Sequence, residues 1–121
     1  RLMITAIDFL DFADNLCKSG NSETDNRVCI SRAYYAAMHH ALENAMNKGY
    51  QRDTYDAGGT HKNLIFYYER QADDDSSLIV DLLRKLKKAR SRADYELGQS
   101  IYSSHAKTAI KQAEQIFSLI Q

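Results

Sequence analysis

Ser31-Arg32-Ala33-Tyr34-Tyr35-Ala36-Ala37-Met38-His39-His40 lies in the middle of a segment, about Asp25 to Lys48, that is apolar or small-sided in more than one direction. Ile30, Ala33, Ala37, Ala41 and Ala45 recur at helical spacing along one stripe, and Val28, Tyr35, Leu42 and Met46 along another. A helix that is apolar on most of its faces is packed by several neighbours. The segment is therefore predicted to be the central helix, N-capped at Ser22 or Thr24 and stopped at Gly49.

Around that centre the remaining helices follow from period and punctuation. Residues 4 to 18 place Ile4, Ile7, Phe9, Leu10, Ala13 and Leu16 against Asp8, Asp11 and Asp14, an amphipathic pattern closed by Ser19-Gly20. Residues 50 to 59 have no period and end in a glycine pair, the mark of a loop. Thr60 then opens a short helix through Ala72, with Leu64, Ile65, Tyr67 and Tyr68 as its packing residues. Asp73-Asp74-Asp75-Ser76 is an acidic run suited to a helix N-terminus. The helix behind it carries Ile79, Leu82, Leu83, Leu86, Arg90, Ala93 and Leu97 as its core stripe. A last helix starts near Ser103 or Ser104 and uses Ala106, Ala109, Ile110, Ala113, Ile116, Phe117 and Ile120. The expectation is an all-α bundle of four to five helices around the second, one domain spanning residues 1–121.

Composition agrees with that class. The 121 residues include no proline and five glycines, fewer turn-formers than a fold with many strands would use. Sixteen basic residues balance sixteen acidic ones, so no global polyelectrolyte character points to a partner. No apolar run approaches the ~18 residues of a membrane span, nor is there the apolar h-region of a secretory signal. The chain begins at Arg1 rather than Met, which points to a trimmed or partial start. Cys17 and Cys29 lack further Cys or His at ligand spacing. They are expected to be free thiols in a reducing cytoplasm, with no metal site and no cofactor.

Three features exceed what a generic bundle needs. Arg32, Tyr35 and His39 are spaced by three and four residues, so they share one helical face and interrupt an otherwise apolar stripe. An arginine and a histidine so placed must be paired or must face a cleft. Second, Arg84, Lys85, Lys87, Lys88, Arg90 and Arg92 put six basic residues within nine positions. That density suits phosphate backbones, and it equally suits a solvated face whose lysines lie over the core. Third, Arg92-Ala93-Asp94-Tyr95 offers Asp94 either to Arg90, one turn away, or to Arg32 across the bundle.

The pairing of Ser31-Arg32-Ala33-Tyr34-Tyr35-Ala36 with a later Arg92-Ala93-Asp94-Tyr95 resembles the HEPN family, in the branch with an S-R-A-Y-Y-A motif on its second helix and R-A-D-Y on a later one. Gly59-Thr60-His61-Lys62 fits the same branch, and the resemblance runs from about residue 4 to 120. It implies a helical bundle that dimerises. It also implies either a metal-independent ribonuclease of a toxin–antitoxin or defence system, or a non-catalytic module that binds a nucleotide or a protein partner such as a nucleotidyltransferase. Active members are similar in carrying arginine, then four to six intervening residues, then histidine. The arginine holds the scissile phosphate and the histidine moves a proton at the ribose 2′-hydroxyl. Arg32 and His39, with six residues between them, have that spacing and are the catalytic candidates. Arg84, Lys87, Lys88, Arg90 and Arg92 are the RNA-binding candidates, with Tyr35, Asp94 and Tyr95 in support. In active members the pair usually lies on the later helix, and there no histidine follows Arg90 or Arg92 at this spacing. His61 and His105, near helix starts, are expected to cap or face solvent, and His40 to reach solvent.

Overall fold

The computed structural model describes residues 4–51 and 59–121. Five helices follow one another: α1 (Ala6–Ser19), α2 (Glu23–Asn47), α3 (Gly59–Glu69), α4 (Asp74–Tyr95) and α5 (Ser103–Leu119). The described residues contain no strand, so the all-α bundle expected from the periodicity is the fold. Most of the loop expected over 50 to 59 lies outside the described residues.

The helix ends have local causes. The Asp8 carboxylate accepts from the Thr5 backbone N–H at 2.8 Å and from its hydroxyl at 3.2 Å, holding the first turn of α1. Ser22 Oγ accepts from the Asp25 N–H at 3.1 Å at the start of α2. Asp73 does the same for α4, accepting from the Ser76 N–H at 2.7 Å and its hydroxyl at 3.0 Å. The bonds from backbone N–H groups satisfy donors that the helix itself leaves unpaired. Gly49, with φ of 101°, ends α2 in the left-handed region. Gly20 ends α1 for another reason. Its φ is −74°, yet a Cβ there would lie 2.7 Å from both Asp25 Cβ and the Leu16 carbonyl oxygen. Close approach of α2 and of the Leu16 carbonyl, and not a positive φ, calls for glycine.

α2 contacts all four other helices. Ile30, Ala33, Ala37, Ala41 and Ala45 are buried as expected, and the small side chains let the neighbours come close. α3 is tied to α2 by Tyr68, whose hydroxyl donates to the Ala41 carbonyl and accepts from Asn44 Nδ2.

Four expectations need correction. On α1 the buried residues are Ala6, Leu10 and Ala13, while Ile4 is 73% and Ile7 45% exposed; the buried face is rotated from the one that apolar size suggested. Val28 and Met46 are exposed, so the second stripe of α2 is only partly covered. α3 stops at Glu69 and not Ala72, since Ala72 adopts φ of 58° to turn the chain toward α4. Leu97 lies beyond the end of α4, 78% exposed, and is no part of the core stripe.

Candidate functional site

Along the outer face of α2, Arg32, Tyr35 and His39 form a column. The Arg32 guanidinium sits 4.9 Å from the centroid of the Tyr35 ring. The His39 ring stacks near Tyr35 with centroids 6.2 Å apart and on Phe9 of α1 at 5.9 Å. His39 is exposed and borders an open groove with Phe9, Leu42 and Met46. Arg32, half-buried, borders a smaller one with Phe9 and Phe12. The two candidate catalytic side chains thus share a face, with an aromatic ring between them along the helix.

Arg32 does not form the buried ion pair with Asp94. Its Nη2 donates to Ser31 Oγ at 3.3 Å, and Ser31 Oγ in turn donates to Asp94 Oδ2 at 3.3 Å. The carboxylate is taken by Arg90, one turn away on α4, whose Nε lies 3.4 Å from Asp94 Oδ2. Local spacing wins because i and i+4 on one helix already face each other. The 3.4 Å approach is a charge contact without hydrogen-bond alignment, and the buried Nε has no hydrogen-bond partner.

Arg90 is the hub between α4 and α2. Nη2 donates to the Tyr35 hydroxyl at 2.7 Å. The guanidinium lies 5.5, 5.4 and 5.7 Å from the ring centroids of Tyr34, Tyr35 and Tyr95. Burial opposes its charge, but the Tyr35 hydroxyl, Tyr95 and Asp94 outweigh that, and the group stays above the ordinary arginine range.

His61 is not a surface cap. It is half-buried, and its Nδ1 lies 3.0 Å from the Tyr34 hydroxyl. Burial, then the charges of Lys87, Arg84 and Arg90, depress its pKa to about 4, so the ring is neutral near pH 7. Burial likewise pushes Tyr34 up to about 12, with Arg90 acting against the rise. His40 is turned inward too, stacked on Phe117 at 4.1 Å with Nε2 3.1 Å from the Ile120 carbonyl oxygen.

The basic run is divided and does not form one patch. Arg84 pairs with Glu69 of α3 at 3.1 Å, and Lys85 with Asp81 at 3.0 Å. Lys87 lies over the Tyr34 ring at 5.9 Å, Arg90 is enclosed by tyrosines, and Lys88 is exposed. Arg92 faces away from Lys87 and Arg90, into a groove beside α5 that Lys85 also lines. A helix turns 100° per residue, so six charges in nine positions cannot all share a side.

Sequence reasoning missed Arg27. Its side chain, only 12% exposed, reaches from α2 to the C-terminus of α4. There Nη1 donates to the Ala93 carbonyl at 2.8 Å and Nη2 to those of Glu96 and Gln99. Glu23 completes the set at 2.8 Å. The sole sequence trace was the Glu23/Arg27 spacing of four, which many exposed pairs share.

Among the described residues no three His, Cys, Asp or Glu side chains converge as a metal-ligand set, and no helix is long and apolar enough to cross a membrane. The family profile described as HEPN domain matches residues 1–121, the whole chain. The chain belongs to the HEPN family. Comparison of this HEPN domain with curated proteins and with solved structures gives no match.

Proposed function

We propose that this HEPN domain is RNA-directed, with the Arg32–Tyr35–His39 column as its contact face. The supporting observation is that column itself: a guanidinium and an imidazole on either side of a tyrosine ring along one open helix face. Single-stranded RNA is recognised by aromatic rings that stack its bases and by arginine that meets its phosphates. We further propose a metal-independent endoribonuclease of the toxin–antitoxin or defence type, acting in the cytoplasm. Arg32 would neutralise the scissile phosphate. His39 would take the 2′-hydroxyl proton as the 2′-oxygen attacks phosphorus, and the P–O5′ bond would break with the 5′-oxygen taking a proton from water. The products are a 2′,3′-cyclic phosphate and a 5′-hydroxyl end.

Seven positions along a helix are about 10 Å of rise, too far for both side chains of one column to serve a single phosphate comfortably. The reading therefore includes a homodimer in which Arg32 of one protomer works with His39 of the other. A second reading, a non-catalytic module for a nucleotide or a nucleotidyltransferase-type protein, is favoured by one observation. On α4 the arginine is enclosed by three tyrosines, and no histidine follows it at the motif's spacing.

The test is incubation of purified protein with total RNA in EDTA, beside the His39→Ala variant. His39 is exposed, so the variant should melt with the parent. Cleavage by the parent alone supports the nuclease. Equal cutting by both removes His39 from the mechanism, and cutting by neither favours the non-catalytic module.

A further inference from the structure

On the side of α4 away from the tyrosines, a groove of ≈ 190 Å³ runs between α4 and α5. Its floor is apolar, made in part by Ile30 and Ile101, which are 1% and 3% exposed. Lys85 and Arg92, seven positions apart and so on one face of α4, stand along one wall; His105 and Gln112 of α5 stand along the other. Among the described residues no carboxylate lines it. The groove between α1 and α5 differs, since Asp14 and Glu114 stand there among Lys18, Lys107 and Lys111.

Each polar group has a defined state. Arg92 has no carboxylate within ion-pair distance among the described residues, although Asp94 and Glu96 are close in sequence. Asp94 belongs to Arg90 on another face of the helix. Lys85 holds Asp81 in an exposed i,i+4 pair at 3.0 Å, a contact weak enough to yield to a better anion. His105 Nδ1 accepts the Tyr102 backbone N–H at 2.8 Å. In the neutral ring that bond places the proton on Nε2, so the imidazole offers a donor. The groove thus combines a planar guanidinium, an ammonium, an imidazole N–H and an amide above an apolar floor. Donors of this kind match the oxygens of a phosphate group, which guanidinium meets bidentately.

We propose that the α4–α5 groove is a phosphate-binding subsite, separate from the Arg32–His39 column, taking a phosphate ester with Arg92 as its principal ligand. The phosphate comes either from an RNA strand or from a free small molecule. The site does not rest on the nuclease reading, because its residues belong to neither the column nor its groove.

The experiment is a titration of the full chain with inorganic phosphate at constant ionic strength against chloride, followed by backbone amide NMR. Shifts should appear at 85–92 and 105–112 and stay in the His39→Ala variant. Arg92→Gln should weaken binding about tenfold or more, the loss expected for a charge-assisted contact. Gln112→Glu, which puts a negative charge on the opposite wall, should abolish it while the melting curve stays that of a folded chain. A second arm compares an oligouridylate with and without a 5′-phosphate. Groove shifts from both strands identify internal diesters as ligands. Shifts from the phosphorylated strand alone identify a terminal monoester, whereas binding confined to inorganic phosphate would count against an ester ligand. Shifts equal in chloride, or undiminished in both variants, would overturn the proposal.

Discussion

The Arg90 guanidinium donates to the Tyr35 hydroxyl at 2.7 Å, joining α4 to the residue at the middle of the α2 column. Arg90 is largely buried, at 15% side-chain exposure, and its Nε already lacks a hydrogen-bond partner. Removing the hydroxyl strands a second donor. Tyr35→Phe should therefore cost about 1–2 kcal/mol, measured by urea unfolding. The ring remains, so the Arg32 and His39 contacts with it survive. A variant as stable as the parent would mean that water replaces the hydroxyl at no cost.

Two arginines on α2 should behave oppositely. Arg27 satisfies carbonyls at the end of α4, and Arg27→Ala should destabilise by about 2–4 kcal/mol. Arg32 is half-buried and rests on a ring and a serine hydroxyl. Arg32→Ala should cost less than about 1 kcal/mol, where an ion pair with Asp94 would have made it the costlier change. Denaturant midpoints of the two variants, compared side by side, decide the order.

Acid should unfold the domain partly through His61. Its folded pKa of about 4 lies below the ordinary 6.5, so between those values the unfolded chain binds more protons. Stability is then fully present above pH 6.5 and is lost as pH falls from 6.5 to 4. The loss is at most about 3 kcal/mol. His61→Gln keeps a hydrogen-bonding partner for the Tyr34 hydroxyl and cannot titrate. It should flatten the stability profile over that window; an unchanged slope would assign the acid response to other groups.

The cysteines should differ in access. Cys29 is fully buried, and burial, reinforced by the neighbouring Cys17 thiol, pushes its pKa up to about 12. Cys17 is half-buried. Iodoacetamide at pH 8 should alkylate Cys17 alone in the native protein and both thiols after denaturation. Mass spectrometry counts the adducts, and a doubly modified native chain would show that the α1–α2 contact opens readily.

What the sequence determined by itself is local or periodic. The α2 stripe of Ile30, Ala33, Ala37, Ala41 and Ala45, the Asp73 and Ser22 caps and the Gly49 stop all follow from interactions within one or two turns, and such spacings are written in residue order. So is the Arg32–Tyr35–His39 column, since three side chains on one helical face need no partner to be aligned. The family motifs were legible for the same reason.

Other features depended on which helix lies across from which. Asp94 had two possible arginines, and the tie broke only when α4 placed Arg90 between Asp94 and the Tyr35 hydroxyl. His61 became a half-buried partner of the Tyr34 hydroxyl because α3 lies against Tyr34. Arg27 found its carbonyls 65 to 72 positions away. Helical rotation alone splits the dense basic run, but packing decided which of its charges met Glu69, which met the tyrosines and which met the groove beside α5. Hydrogen bonds and desolvation act over a few ångströms of space, so contacts between residues distant in the chain appear only when packing has brought them together.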